Sequence, residues 1–366
     1  MGTDEAVREL AYRGWSNWDT RPEQTAGSAS SFGVESEFFG IARDTAVALL
    51  NRDARVHAEN DGYHHDARDY WRVTSDSSVH GEGNEVVSPI LNVKRAPHFT
   101  SIKRVTDTLK NNGGDVDRTC GVHVHHSASA MTPVLLAETI SHYGLFQQAI
   151  DNVLPPSRRV WGVHRDREAF NAPIQRLDSI NSQLRDPGRT RARMADVSGM
   201  TRHQVINLQA LPAHNTIEFR QHSGSLNPSK INNWVKFTKL FMEIGKKKSA
   251  VDLLRDHNWS EDQVRAEFDG ITKVLDYLGA SDELKDYYIG REALFGAEHG
   301  DEEDKFAAIH FSHRNREHTD TPAYVGSEEE WCASCAMYHP TPQEEPFQTQ
   351  AYQPEYDDED EPYYPE

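Results

Sequence analysis

The stretch GVHVHH, residues 121–126, decides how this chain is read. Side chains on a strand alternate between faces. His123 and His125 then share one face, and Val122 and Val124 the other. Three more stretches carry chemistry in the same way. In GVESEF (33–38), Glu35 and Glu37 oppose Val34 and Phe38. In TIEFRQ (216–221), Glu218 and Arg220 oppose Ile217 and Phe219, and NEVVSP (84–89) adds Glu85. A half-buried strand ordinarily turns its apolar face to the core and scattered polar residues to water. Here the polar faces are His/His, Glu/Glu and Glu/Arg. Brought onto one sheet, they would form a floor of metal ligands beside an anion clamp. That pattern suits a hard cation and a phosphate.

The chain has 366 residues, enough for one large domain or two ordinary ones. Hydrophobic residues make up 37%, a low share that partly reflects polar tails. No apolar run approaches the ~18–20 residues that a membrane span needs. The opening MGTDEAVREL is acidic and has no apolar signal core, so cytoplasmic residence is expected. The three cysteines, Cys120, Cys332 and Cys335, argue against a disulfide framework. A net charge of −19 argues against a broad nucleic-acid surface, although a local basic groove stays open because much of the charge sits in the tail.

Patterning predicts a short helix at 4–14, a Ser/Gly/Thr-rich linker at 16–31, and helical periodicity over 43–58. A strand is expected at 71–74 and a helix at 96–111, ended by Gly113-Gly114. Thr132 caps a helix that begins at Pro133, and Asn227-Pro228 opens another that runs to about 247. Residues 155–200 are Arg-rich and irregular, with a helix near 174–185. A strand pair follows at about 203–210 and 215–221, and small helices fill 250–297. Strands joined partly by helices and partly by a hairpin-like loop predict an α+β fold with a mixed or antiparallel sheet. The domain boundaries expected are 1–31 for the helix and linker, 32–297 for a catalytic domain, 298–340 for a His/Cys extension and 341–366 for a disordered acidic tail.

Each motif alone has a plain reading. Glu35 and Glu37 could be an exposed strand face, His123 and His125 exposed histidines or a zinc pair, and Glu218 and Arg220 a surface ion pair. Their joint order is more specific. With GNEVVSP, CGVHVHHS and NTIEFRQHSGSLNP beside GVESEF, residues 32–245 resemble the amidoligases of phages and bacteria. These belong to the carboxylate–amine ligase superfamily of glutamine synthetase and γ-glutamylcysteine synthetase.

The resemblance implies a curved, mostly antiparallel sheet flanked by helices, cupping ATP and Mg²⁺ or Mn²⁺. Carried over, Glu37 and Glu85 would hold one metal, and Glu35, His123 and Glu218 another. His125, Ser127 and Arg202 would meet nucleotide. Arg220 would steady the transferring phosphoryl group, with Glu218 beside it as the second catalytic position. A further carboxylate, Asp76 or Glu82, would complete the first metal site. The implied activity is ATP-dependent amide formation through an acyl phosphate, in the cytoplasm of a bacterium or a phage-infected host. The reaction class explains the residue types, because phosphoryl transfer needs charge neutralisation and in-line positioning.

Other signals stand apart. His64, His65 and Asp66 could assist an attacking amine or be a solvated loop. The Arg cluster at 185–194 could bind an anion or be solvated, and Trp71 and Trp161 read as core. Cys332 and Cys335, with His310, His313, His318 and His339 nearby, could form a structural zinc site or a turn with two thiols. The alternatives to a ligase are a metal-dependent hydrolase built on the His/Glu cluster and a catalytically silent binding protein. The carboxylate and amine substrates and the oligomeric state are not specified by the sequence.

Overall fold

The computed structural model describes residues 28–62, 67–79, 83–155, 158–159 and 204–295, with the backbone of 329–332 and 337–340. Its axis is β1, Ser31–Phe38, which pairs on both sides within one eight-stranded sheet. The other strands are β2 (Ala58–Asn60), β3 (Trp71–Ser75), β4 (Asn84–Val87), β5 (Leu91–Asn92), β6 (Gly121–Ser127), β7 (Ile206–Asn207) and β8 (Thr216–Ser223). The order is β2-β3-β4-β1-β6-β8-β7, with β5 also paired to β1. Every pairing in the sheet is antiparallel except β2 with β3. The α+β expectation therefore holds at the level of a mixed, mostly antiparallel sheet flanked by helices.

The helices are α1 (Arg43–Leu49), α2 (Ala96–Asn111), α3 (Pro133–Leu145), α4 (Gln147–Asp151), α5 (Ala210–His214), α6 (Pro228–Ile244), α7 (Ala250–His257), α8 (Glu261–Glu267), α9 (Ile271–Leu278) and α10 (Asp282–Phe295). Cap chemistry sets two of their starts. The Thr132 hydroxyl accepts from the Leu135 N–H at 3.3 Å, and Asn227 Oδ1 accepts from the N–H of Ser229 at 2.9 Å. Proline follows each cap, where its missing N–H costs nothing.

α2, α3 and α6 cover the apolar face of the sheet. Phe32 of β1 stacks on Phe99 of α2 at 5.6 Å, and Tyr143 of α3 lies 5.5 Å from Phe219 of β8. His126 belongs to this face as well, with Nε2 2.8 Å from Thr238 Oγ1 of α6. Val34, Val122, Val124 and Ile217 complete the buried layer. Trp71 is also core, as its type suggested.

Three expectations needed revision. The helical pattern at 43–58 does not run through. After α1 a wider turn, Leu50–Ala54, ends at Arg55 in the left-handed region (φ 52°), and the chain enters β2. Buried Val56, in the bend before β2, and Ala58, its first residue, extend the apolar pattern outside any helix. The strand expected at 203–210 is reduced to β7, because α5 occupies 210–214 before the chain reverses at Asn215 (φ 57°). A third element, a separate hairpin of β9 (Glu329–Cys332) and β10 (Met337–Pro340), lies where a loop was expected, with Cys332 opposite Met337. Cys335, the helices expected at 4–14 and 174–185, and the acidic tail lie outside the described residues.

Candidate active site

Strand register arranges the polar face of the sheet in three rows. The first runs Thr74, Glu85, Glu37 across β3, β4 and β1. The second runs Glu59, Arg72, Val87, Glu35, His123 from β2 to β6. The third runs Gly33, His125, Glu218, Asn207 from β1 to β7. Register partners share a face, so the rows make one continuous floor opposite the helical layer.

A bulge adjusts the floor at its β8 end. The β6–β8 register shifts between Val122 and Val124, so that His123 faces an extra residue of β8. The extra length leaves Arg220 on the floor and sends Gln221 into the helical side. There the Gln221 amide donates to Asp151 Oδ1 at 2.6 Å and accepts from the Tyr143 hydroxyl at 2.8 Å. Gln147 reaches both Asp151 and Gln221, at 3.2 and 2.9 Å. This buried network fixes the strand from which Arg220 projects.

His123 is the hub of the cluster. Its Nδ1 lies 3.3 Å from Glu35 Oε2 and 3.5 Å from Glu218 Oε1, and its Nε2 lies 3.6 Å from Glu37 Oε1. His125 Nε2 is 3.3 Å from Glu35 Oε1 and 3.9 Å from Glu218 Oε1, while its Nδ1 meets Thr216 Oγ1 at 3.0 Å. Glu218 is held from two directions. Asn207 Nδ2 donates to its Oε2 at 2.5 Å, and Arg220 Nη1 donates to its Oε1. Glu37 accepts from the Gly121 N–H at 2.6 Å. A Cβ at Gly121 would lie 3.0 Å from His123 Nε2, so a side chain there would press on the histidine and shift it.

Asp76 follows β3 and joins Glu37 and Glu85, each offering an oxygen within 4.8 Å of the others. Two more triads meet the same limit, Glu35–Glu85–His123 and Glu35–His125–Glu218. The β3–β4 turn positions Asp76, whose N–H donates to the Gly83 carbonyl at 3.0 Å. Gly83 has no room for a side chain, since a Cβ would lie 2.5 Å from the Asp76 carbonyl oxygen.

The electrostatics divide the floor. Burial pushes the Glu35 carboxyl up, but His125 and His123 outweigh it and hold the group well below the usual carboxylate range. Glu218 is likewise raised by burial and lowered overall by Arg220, His125 and His123. His125 is lowered by burial yet raised overall by Glu35 and Glu218. Glu85 goes the other way. Burial, then Glu35, Glu37 and Asp76, push it well above the ordinary range, with Arg72 opposing. Buried carboxylates this close repel unless a cation stands among them. Oxygen donors with imidazole nitrogens at the edge fit hard divalent cations such as Mg²⁺ or Mn²⁺.

Glu35, Glu37, Glu85, His123, His125, Glu218 and Arg220 therefore meet on one surface. Ser127 ends β6, buried, with its hydroxyl 2.9 Å from Ser129 Oγ. Arg202, Glu82, His64, His65, Asp66, Trp161 and the cluster at 185–194 lie outside the described residues. Sequence reading left Asp76 undecided and missed Arg72 and Thr74. Their alternation, Arg72-x-Thr74-x-Asp76, was the available signal.

A family model described as "Putative amidoligase enzyme" matches residues 28–242. The chain belongs to this amidoligase family. The matched span contains all of the floor, from Glu35 to Arg220. No curated protein matches the chain. Among solved structures, a bifunctional glutathione synthetase from Pasteurella multocida aligns with 81% of this chain and 50% of its own, at 14% identity and a TM-score of 0.36. The chain thus spans about half the length of that protein. Among the described residues, no helix of this amidoligase is long and apolar enough to cross a membrane.

Proposed function

We propose that this amidoligase is an ATP-dependent carboxylate–amine ligase, working through an acyl phosphate on a glutamine synthetase-like sheet. The observation that carries the reading is the convergence of five buried or half-buried acidic triad partners, two histidines and Arg220 on one sheet face. Its catalytic unit would be residues 32–297, acting in the cytoplasm.

Glu37, Asp76 and Glu85 would hold one divalent cation, and Glu35, His123 and Glu218 a second. Such cations neutralise phosphate oxygens and leave their phosphorus open to attack. His125, Ser127 and Arg202 would line the nucleotide side. A substrate carboxylate oxygen would attack the γ-phosphorus of ATP and ADP would leave. Arg220, held in place by Glu218, would direct its guanidinium at the group in flight, where charge shifts between oxygens. An amine nitrogen would then attack the acyl carbon, lose a proton and expel phosphate. A hydrolase would need no such arginine paired within the cation cluster.

The supporting experiment is calorimetry of ATP binding with and without Mg²⁺ or Mn²⁺. ATP should bind only with the cation, and Glu218→Gln should weaken cation and nucleotide binding together. Equal ATP affinity in the presence of a chelator would sink the reading.

A further inference from the structure

Arg158, in the turn that follows α4, is 6% exposed. Its Nη2 donates to the carbonyl oxygen of Cys120, and the Gly224 N–H donates to the same oxygen at 2.7 Å. The N–H of that same peptide unit belongs to Gly121, and it donates to Glu37 Oε2 at 2.6 Å. One peptide group thus stands between a guanidinium and a carboxylate of the cation cluster. The arginine fork lies along it, since both Nη atoms are 3.4 Å from where a Cβ of Gly121 would stand. The turn itself is tied down. The Arg158 N–H donates to the Pro155 carbonyl at 2.9 Å. Gln221 Nε2, bonded to Asp151, also reaches the Arg158 carbonyl at 3.3 Å.

A peptide unit is planar, so its C=O and N–H cannot turn independently. A charged donor on the carbonyl fixes the plane and polarises the N–H, and bonds in such a chain strengthen one another. Oε2 of Glu37 is therefore held, while Oε1 lies 3.6 Å from His123 Nε2 within the cluster. Groups that hold one atom of a ligand in this way orient the other toward a metal. The Cys120 oxygen already accepts from Gly224, so its burial alone does not demand an arginine. Burying a guanidinium is costly, and a backbone contact already made once does not offset it.

We propose that Arg158 is a positioning residue for the cation site of Glu37, Asp76 and Glu85, acting through the Cys120–Gly121 peptide to hold the Glu37 carboxylate. The inference rests on the cation reading of the floor and deepens it: the affinity of that site depends on a residue outside the sheet. The alternative is an arginine that only pins the turn after α4 to the start of β6.

The test has a metal-free arm and a metal arm, both on the full chain. Cys120-Gly121 is the only Cys-Gly pair in the sequence. Labelling the carbonyl carbon of Cys and the nitrogen of Gly therefore gives one correlated nuclear magnetic resonance signal from this peptide. In metal-free protein, Arg158→Met should move the Gly121 amide proton upfield, together with a shift of the Cys120 carbonyl, as both bonds weaken. Electron paramagnetic resonance of free Mn²⁺ then follows the binding steps. Arg158→Met should weaken one step about tenfold, as for a group that orients a ligand, and leave the other unchanged. Arg158→Lys returns a charged donor without the fork, so the same step should weaken only about threefold, with a smaller shift in the same direction. Should Arg158→Met fail to fold, Arg158→Lys decides. The proposal is overturned if the Gly121 amide proton stays in place, if every Mn²⁺ step is unchanged, or if all steps weaken equally. Should the unaltered chain bind no Mn²⁺ while the metal-free signal moves as expected, the ligase reading fails and the link from Arg158 to Glu37 stands. Mn²⁺ binding with an unmoved signal would contradict the positioning role alone.

Discussion

Glu37 and Glu85 stand directly opposite each other on adjacent antiparallel strands, both buried and both on the floor. Like charges in this position destabilise a sheet. Removing one should therefore stabilise the metal-free protein. We expect Glu85→Gln to raise stability without metal by about 1 kcal/mol, a shift of ~2–4 °C in melting temperature for a domain of this size. The same variant should lose the stabilisation that Mn²⁺ gives the unaltered chain. Thermal melts in chelator and in Mn²⁺ check both. A variant less stable in chelator, yet fully responsive to Mn²⁺, would place Glu85 outside the cation site.

Arg220→Lys keeps the charge and replaces a planar fork with a point donor. The proposed role is transition-state stabilisation, so kcat should fall about 10²-fold with little change in ATP binding. Steady-state kinetics and calorimetry separate the two quantities. Normal turnover would make Arg220 a structural partner of Glu218 and nothing more.

Gln221 acts from behind the floor. Gln221→Leu leaves the Tyr143 hydroxyl without its acceptor and removes a donor from Asp151. A loss of about 2–4 kcal/mol is expected, because buried polar groups lose their partners. Urea unfolding measures it. The variant at low temperature should also show a lower kcat, since the bulge that aims Arg220 is loosened. An unchanged unfolding midpoint would mean that water replaces the lost bonds.

The pH dependence has a defined sign at His222. Burial, then Arg291, hold its pKa well below the ordinary histidine value, and Nδ1 lies 2.7 Å from the Ser223 carbonyl oxygen. The folded state therefore keeps the ring neutral, while the unfolded chain takes up a proton below the usual pKa of about 6.5. This contribution to stability is complete above that value and is lost as pH falls below it, by up to about 1.4 kcal/mol per pH unit. Urea unfolding between neutral and mildly acid pH should show a shallower slope in His222→Asn than in the unaltered chain. Identical slopes would mean that His222 titrates normally in the folded protein.

Strand alternation made much of the floor legible. Glu35, Glu37, His123, His125, Glu218 and Arg220 could be assigned to one face because their neighbours Val34, Val122, Val124, Ile217 and Phe219 are plainly apolar. The cap residues Thr132 and Asn227 fixed two helix starts for equally local reasons. What escaped depends on partners distant in sequence. β2 is three residues long and becomes a strand only by pairing with β3. WRVT reads as an ordinary strand until register sets Thr74 against Glu85. Asp76 and Glu82 are equivalent in sequence, and only the β3–β4 turn brings Asp76 to Glu37. The bulge opposite His123 has no local mark, because it reflects a mismatch between two strands.

The central claim is most directly tested by incubating the full chain with ATP, Mg²⁺ and mixed pools of carboxylic acids and amines, then reading the products by mass spectrometry alongside ADP. The account expects a product lighter by one water than the sum of an acid and an amine, formed with one ADP per bond, absent without Mg²⁺ and absent in Glu218→Gln. Condensation without ADP formation, or Mg²⁺-dependent cleavage that needs no ATP, would contradict it.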